Sequence, residues 1–163
     1  MAVSSSRPLL YLLAGLPGTG KSTYARALEA TGVARVSADE EMLARHGQIG
    51  VDHRVEDHAE LLGPVVDWAR ERTVELLCSG TSVVFDHGLG TREQRDDFKR
   101  LADDHGARWQ LLHFRVGKDE LLGRLAARQM TNPDSSMRIT PKMLHYLSSV
   151  YEEPTHEGEL LIS

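Results

Sequence analysis

Short apolar runs alternate with amphipathic stretches along the whole chain. The runs predict five strands, at 9–14, 34–39, 82–86, 109–116 and, as an edge strand, 160–162. The first run is continuous, as expected for a strand that is buried on both faces. Helical patterns lie between the runs, at about 21–30, 55–78, 91–104, 118–130 and 140–151. This alternation predicts an α/β fold whose parallel strands are joined by crossover helices, with ligands bound at the carboxyl ends of the strands.

Turn and capping residues set the predicted element boundaries. Thr31 and Gly32 are expected to end the first helix, and the two-glycine stretch 45–54 is expected to be a loop. The pattern from Val55 to Cys78 is helical, but Gly63 and Pro64 predict a break within it. Thr91 with Gln94 predicts a capping box, and Thr140 with Pro141 predicts the start of the last helix.

Residues 15–22 carry the pattern G-x-x-x-x-G-K-S between a predicted strand and a predicted helix. In this context the pattern indicates a phosphate-binding P-loop, in which glycines let several backbone N–H groups surround one anion. Lys21 is expected to contact the β- and γ-phosphates of ATP, and the Ser22 hydroxyl is expected to bind Mg²⁺. The predicted nucleotide contacts in this segment are Gly15, Pro17, Gly18, Thr19, Gly20, Lys21, Ser22 and Thr23.

Two aspartates end predicted strands at the same edge of the sheet. Asp86 follows an apolar run and is predicted to be a Mg²⁺ ligand, with a turn cap as the alternative. Asp39 ends the second run and is predicted to be the general base that accepts a proton from the substrate hydroxyl. Its alternative role is the N-cap of a helix that starts near Glu40.

Arginines in the second half of the chain suggest contacts to phosphate. Arg124 and Arg128 lie four residues apart on a helix face opposite a set of leucines, and Arg138 follows in a loop of small and polar residues. A lid at about 128–140 would bring such guanidinium groups onto the transferred phosphoryl group, and Arg128 is predicted to take part in catalysis. A solvated helix face is the alternative.

Three further side chains near the third strand end are candidates for the acceptor side of the site. His87 directly follows Asp86 and is predicted to contact the substrate. Arg92 is predicted to bind an acidic substrate group, as is Arg95, although plain helix surface is an equal alternative for both. The leucine face of the helix at 118–130 is expected to include Leu121, Leu122, Leu125 and Ala126.

Composition limits the possible partners. The 163 residues carry a net charge of −5, which argues against binding nucleic acid through bulk charge. Cys78 is the sole cysteine, so no internal disulfide forms and a cytoplasmic location is expected. The longest apolar run is too short to cross a membrane. His53 and His58 are five residues apart, which is not a zinc-ligand spacing, so most histidines are interpreted as surface or packing residues.

The P-loop, the Asp39 strand end, the VVFD strand end and the R-x-x-x-R helix together resemble the small P-loop kinases, which include zeta-type toxins, chloramphenicol phosphotransferase and the polynucleotide kinases. The resemblance spans about residues 9–150. It implies that Lys21 and Ser22 contact phosphate and metal, that Asp39 activates an acceptor hydroxyl, and that Arg124 and Arg128 are lid residues for adenine and phosphate. Polynucleotide kinases carry an arginine three residues after this aspartate; here that residue is Met42, although Arg45 could substitute one turn later.

We therefore expect a three-layer α/β P-loop domain over residues 1–163, with a mostly parallel central sheet and a short lid. The expected activity is transfer of the γ-phosphate of ATP to a hydroxyl of a small molecule, such as an antibiotic, a nucleoside-like compound or a sugar. Two alternatives stay open: a polynucleotide 5′-hydroxyl kinase, and an ATP-binding switch without catalysis. A guanine-reading N-K-x-D string does not occur, which argues against a GTPase.

Overall fold

Five short strands form one parallel sheet in the computed structural model, which describes residues 6–131 and 139–162. The strand order is β2-β3-β1-β4-β5, so the first strand is central. The strands are β1 (Leu9–Ala14), β2 (Ala34–Ser37), β3 (Val83–Asp86), β4 (Arg108–Phe114) and β5 (Glu159–Ile162). The helices are α1 (Lys21–Ala30), α2 (Ala38–His46), α3 (His58–Cys78), α4 (Arg92–Asp104), α5 (Lys118–Thr131) and α6 (Pro141–Val150).

Alternate residues of β1 pack into two separate cores. Leu10 and Leu12 pack on one face of the sheet with side chains of α3 and α4, whereas Leu13 packs on the other face with Ala25 of α1. All three leucines are fully buried. Helices therefore cover both faces of the sheet, and the predicted three-layer α/β fold is confirmed. Every strand pairing that the structure describes is parallel.

Strand register places three chain segments together at the carboxyl edge of the sheet. Ser37, the last residue of β2, pairs with Asp86, the last residue of β3. The next strand, β1, pairs with β3 through Leu12 and Phe85, so the segment that follows β1 leaves the sheet beside them. The P-loop, the start of α2 and the loop after β3 consequently meet at one site.

Several helix boundaries confirm the predictions from turn chemistry. The Thr91 side chain accepts a hydrogen bond from the Gln94 N–H, and the Gln94 side chain returns to the Thr91 backbone, which completes the capping box. Thr140 caps α6, with Pro141 in its first turn. Gly32 has a φ of 103°, a conformation that suits glycine at a helix end.

The second predicted strand is two residues too long. β2 ends at Ser37, because the Ser37 hydroxyl accepts a hydrogen bond from the Glu40 N–H and caps α2. Asp39 therefore lies within the first turn of α2, and its predicted alternative role as the N-cap is wrong. The cap is already supplied by a serine, which leaves the Asp39 carboxylate available for other contacts.

Three features of the helices also differ from the predictions. Pro64 lies inside an uninterrupted α3, although proline in a helix interior forfeits a hydrogen bond and costs about 3 kcal/mol. The following residues Val65 and Ala69 are fully buried, and their packing offsets this cost. A short 3₁₀ turn at Val55–Asp57 replaces the predicted first turn of α3. Ala126 is exposed, so the buried face of α5 is narrower than predicted.

Candidate active site

The phosphate loop connects β1 to α1, and α1 begins at Lys21 as predicted. Gly20 occupies the N-cap position with a φ of 100°, where a side chain would be strained. The Thr19 hydroxyl donates a hydrogen bond of 2.7 Å to the carbonyl of Leu16, which closes the loop on itself. The positive end of the α1 dipole therefore faces a compact, glycine-lined turn, as anion binding requires.

Lys21 is a partly buried cation, and no carboxylate among the described residues forms an ion pair with it. Its Nζ donates hydrogen bonds of 2.7 Å to the carbonyls of Gly15 and Leu16. Burial lowers the pKa of Lys21 to about 8, while the negative charges of Asp39 and Asp86 oppose this shift. Two neutral carbonyl partners satisfy the donors but not the charge, so the ammonium group fits a polyphosphate that approaches the loop.

Helix α5 packs directly on the loop at Gly18. A Cβ atom at this position would lie 2.9 Å from Leu125 Cδ2 and 3.0 Å from Leu121 Cδ1, and the φ of Gly18 is 83°. Glycine is therefore required here both for its backbone conformation and for the close approach of α5. This contact ties the helix that carries Arg124 and Arg128 to the phosphate loop.

Ser22 and Asp86, the two predicted metal ligands, are in contact. The Ser22 hydroxyl donates a hydrogen bond of 3.1 Å to Asp86 Oδ1. Hydroxyl and carboxylate oxygens are ligands that Mg²⁺ prefers, usually together with waters and the phosphates of a nucleotide. The donor set therefore fits a Mg²⁺ ion that arrives with the nucleotide. Within residues 6–131 and 139–162, no cluster of three or more His, Cys, Asp or Glu side chains forms a separate metal cage.

Arg35 is a site residue that the sequence analysis missed. Its Nε and Nη2 atoms lie 2.8 and 2.7 Å from Asp86 Oδ2, and its Nη1 lies 2.9 Å from Glu40 Oε1. The side chains of Arg35 and Asp86 are only 8% and 5% exposed, so this ion pair is shielded from water. Arg35 thus links the strand end at Asp86 to Glu40 in the first turn of α2, next to Asp39 in the sequence. The only sequence signal was a charged residue within a short apolar strand.

Asp39 lies at the mouth of the site and keeps 44% of its side-chain surface exposed. Burial of the carboxylate acts to raise its pKa, but His87, Lys21 and His58 outweigh this effect and hold the pKa of Asp39 below its usual value. The His87 Nδ1 atom lies 3.9 Å from Asp39 Oδ1. Asp39 is therefore ionised at neutral pH and accessible, as a group that accepts a proton from a bound hydroxyl must be.

The predicted arginines divide into two groups. The positive charge of Arg128 slightly opposes that of Lys21 and contributes to the lowered pKa of Lys21. Arg124 instead donates a hydrogen bond of 2.8 Å to Glu120, one turn earlier in α5. Most of the predicted lid, including Arg138, lies outside the described residues, so the roles of Arg124 and Arg128 toward a nucleotide stay predictions.

Neither arginine predicted at the start of α4 is directed at the acceptor side by a described contact. The prediction for Arg95 is wrong: it is fully buried and forms a bidentate ion pair with Glu157, both bonds 2.9 Å long. That partner lies 62 residues away, so the pair joins α4 to the segment before β5. Arg92 is exposed, with its Nε 3.7 Å from Asp96 Oδ2 on the same helix, and its contact to a substrate stays a prediction.

The departure from the polynucleotide kinase pattern has a structural counterpart. Met42 is 3% exposed and packs in the core beneath α2, so it cannot contact a substrate phosphate. Arg45 is also engaged: its Nε lies 2.9 Å from Glu41 Oε1, and its guanidinium group lies 5.7 Å from the centre of the Trp68 ring. The replacement of the missing arginine by Arg45 stays a prediction.

The P-loop, its partly buried lysine and the serine–aspartate pair on a parallel α/β sheet define a P-loop domain. The sequence matches the family model described as an AAA domain over residues 10–154, and the chain belongs to that family. Uncharacterized proteins of Mycobacterium tuberculosis and Mycobacterium bovis are 31% identical to it over 141 residues. The alignment covers 80% of this chain and only 28% of those proteins, which are thus much longer.

Solved structures share the fold at low sequence identity. A candidate kinase from Chloroflexus aurantiacus has a TM-score of 0.73 and 20% identity, over 96% of this chain and 88% of that one. A gluconokinase from Sinorhizobium meliloti has a TM-score of 0.62 and 18% identity, over 95% and 81%. A chain of the Pnkp1/Rnl/Hen1 RNA repair complex has a TM-score of 0.66 and 22% identity, over 93% and 48%. The predicted resemblance to small P-loop kinases is confirmed. None of the helices in the described part of the chain is long and apolar enough to span a membrane.

Proposed function

We propose that this domain transfers the γ-phosphate of ATP to a hydroxyl group of a small molecule. The observation that carries the proposal is the meeting of three features at one sheet edge. These are the partly buried Lys21 of the P-loop, the Ser22–Asp86 oxygen pair, and the accessible, ionised Asp39. A hydrolase needs the first two, whereas a carboxylate at the mouth of the site favours transfer to an alcohol.

The reaction forms one bond and breaks another. The acceptor oxygen bonds to the γ-phosphorus while the bond from that phosphorus to the β–γ bridging oxygen breaks, and ADP leaves with that electron pair. Asp39 accepts the hydroxyl proton and then returns it to solvent. Lys21 stabilises the charge of the phosphates, and Mg²⁺ held through Ser22 and Asp86 would add positive charge there.

The charge distribution around Asp39 favours an acceptor without a phosphate group of its own. The groups that lower the pKa of Asp39 are His87, Lys21 and His58, and of these Lys21 lies beside the phosphate loop, on the nucleotide side. Recognition of a nucleic acid strand would need guanidinium or ammonium groups along the backbone. Met42 and the engaged Arg45 do not supply them, and the net charge is −5.

The neighbours on this fold do not decide the acceptor, because a gluconokinase and an RNA repair protein both share it. A salt titration separates the two classes. Activity on a small uncharged acceptor is expected to change little between low and physiological salt, whereas binding of a polynucleotide weakens steeply. A steep loss of activity with salt would favour the polynucleotide alternative.

The direct test is a screen for ADP release from Mg-ATP across sugars, polyols, nucleosides and hydroxylated antibiotics. Asp39→Asn is the blank, and Glu41→Gln is the matched control, since Glu41 lies on the same helix and pairs with Arg45. The proposal predicts ADP release that depends on one class of acceptor and is lost only in Asp39→Asn. ATP binding with no acceptor-dependent ADP release would instead support the ATP-binding switch. We also propose a cytoplasmic location, which the free cysteine Cys78 fits.

A further inference from the structure

Two histidines that the proposed reaction does not use are joined by a hydrogen bond. His53 Nε2 lies 3.1 Å from His58 Nδ1, and His53 Nδ1 lies 3.1 Å from the carbonyl oxygen of His46. The two rings differ in tilt by only 9°, and their centres are 5.4 Å apart. That separation is close to the N–N distance plus two ring radii, so the rings lie nearly in one plane, edge to edge. This is a good geometry for a hydrogen bond.

The backbone carbonyl fixes the protonation of both rings. A carbonyl oxygen only accepts, so His53 Nδ1 carries the proton in this hydrogen bond, and a His53 ring with a single proton then has an acceptor at Nε2. His58 Nδ1 must then donate to it. The neutral His58 ring consequently carries its free lone pair on Nε2, on the side of the ring away from His53. These two hydrogen bonds therefore make His58 Nε2 a hydrogen-bond acceptor, whereas an unconstrained imidazole exchanges between its two tautomers.

His58 is the first residue of α3, and α3 packs against α2, the helix that carries Asp39. Its hydrogen-bond partner His53 also contacts the last residue of α2 through the His46 carbonyl oxygen. These contacts place His58 on the acceptor side, and the charges of Asp39 and His87 act on its pKa. Burial, the first cause, lowers the pKa of His58, and His53 lowers it further, so the ring is neutral at pH 7. Within residues 6–131 and 139–162, no hydrogen-bond partner is found for its Nε2 atom.

From this geometry we propose that His58 Nε2 accepts a hydrogen bond from a second hydroxyl of the acceptor, adjacent to the hydroxyl that Asp39 deprotonates. The substrate class is then a compound with neighbouring hydroxyl groups: a sugar, a polyol or a ribose. This inference rests on the proposed function. A carboxylate at the same place would be repelled by Asp39 and has no proton to donate, whereas a hydroxyl can donate to His58 Nε2 without a charge of its own.

The first test reads the tautomers directly and needs no substrate. In the ¹⁵N-labelled chain at pH 7.5, two-bond ¹H–¹⁵N spectra distinguish a protonated ring nitrogen from a bare one. We expect both His53 and His58 to carry the proton on Nδ1. In His53→Phe, His58 loses its partner and is expected to shift toward the Nε2–H form. A wild-type His58 that carries its proton on Nε2 would overturn the inference, whatever the enzyme phosphorylates.

The second test measures discrimination between acceptors. Each active acceptor is compared with the analogue that lacks the neighbouring hydroxyl, for example glycerol against propane-1,3-diol. The wild-type chain is expected to prefer the first by roughly tenfold or more in kcat/KM, because the analogue leaves a polar ring atom unpaired. His58→Phe is expected to lose this preference, and His58→Gln, whose amide oxygen reaches the Nε2 position, is expected to keep part of it.

The control is His156→Asn, which removes a histidine from the turn before β5, at the opposite edge of the sheet; asparagine tolerates the positive φ found there. It is expected to keep both the activity and the preference of the wild type. Turnover that ignores the neighbouring hydroxyl, or a preference that survives in His58→Phe, would overturn the inference and leave the proposed function intact. ADP release with no acceptor of any kind would overturn the proposed function and this substrate class together.

Discussion

The nucleotide side and the acceptor side of the site are built in different ways. The phosphate-binding part of the nucleotide side is one continuous segment, in which the phosphate loop and the first turn of α1 hold Lys21 near two carbonyls of its own loop. The acceptor side brings together Asp39, His58 and His87 from three separate segments. Its key contacts are longer, as the 3.9 Å between Asp39 and His87 illustrates.

This difference separates the part of the site that binds the polyphosphate of ATP from the part that selects the acceptor. A loop whose shape comes from backbone and glycines binds the polyphosphate shared by all ATP-using relatives. Side chains carried by loops and helix starts define the acceptor, and these vary freely on one scaffold. Changes on the nucleotide side should therefore impair ATP binding, whereas changes on the acceptor side should spare it.

The largest expected effect is the loss of Lys21. Lys21→Ala removes the cation from the phosphate loop, and we expect kcat/KM to fall about 10³–10⁵-fold, the range for a cation that stabilises a transferring phosphoryl group. ATP binding, measured by calorimetry, should be lost as well. Lys118→Ala removes an exposed lysine at the start of α5 and serves as the control. A Lys21→Ala chain with normal ATP-dependent turnover would rule out the P-loop assignment.

On the acceptor side, Asp39→Asn should lower kcat by about 10²–10⁴-fold, since no carboxylate remains to take the proton from the substrate hydroxyl. ATP affinity should change little, because Asp39 does not contact the loop directly. Steady-state kinetics and calorimetry on the same sample separate the two quantities. Equal losses of ATP affinity in Asp39→Asn and Lys21→Ala would erase the proposed division between the two sides.

The buried pair between Arg35 and Asp86 connects the two sides, and breaking it should destabilise the fold. Arg35→Met leaves the Asp86 carboxylate with Ser22 as its remaining partner, which should cost about 3–5 kcal/mol of unfolding free energy. Millimolar Mg²⁺ should restore part of this stability by binding the unpaired Asp86 carboxylate, as measured by thermal melting with and without chelator. Arg26→Met is the matched control, because Arg26 also approaches Glu40 but is 62% exposed. Equal responses to Mg²⁺ in the two variants would contradict this role.

The smallest expected effect is the uptake of part of a proton when ATP binds. The pKa of Lys21 is about 8 in the free chain, and a bound triphosphate favours the charged ammonium and raises it. Binding at pH 8 should therefore take up about half a proton, binding at pH 6.5 almost none, and ATP affinity should fall as the pH rises above 8. Calorimetry in two buffers of different ionisation enthalpy measures this uptake. Lys21→Arg, which stays charged, should abolish it; uptake that persists there would assign the proton to another group.

Features that depend on neighbouring residues were predictable from the sequence. The P-loop, the Thr91–Gln94 capping box and the strand end at Asp86 each need only a few consecutive positions, and the structure confirms their placement. Pairings between distant residues were not predictable. Arg95 reaches Glu157 because the segment before β5 packs beside α4, and Arg35 reaches Asp86 because β2 and β3 pair in parallel.

On the acceptor side, even residues that are close in sequence form contacts that the sequence did not predict. His53 and His58 are five residues apart, a spacing that matches no helical face or metal motif. They meet because a turn and a 3₁₀ segment bring them together, and a backbone carbonyl then orients the first ring. Ser37 rather than Asp39 caps α2 for a similar reason, since two neighbouring polar residues compete for one cap and the strand register decides between them.

The fate of a labelled γ-phosphate tests the central claim most directly. The chain is incubated with Mg²⁺, [γ-³²P]ATP and the leading acceptor from the ADP-release screen, and the products are separated. Our account predicts that the label moves to an organic phosphate ester of the acceptor, in step with ADP, and that Asp39→Asn stops this transfer. Label that stays in ATP, or that passes entirely to inorganic phosphate at a rate independent of the acceptor, would contradict it.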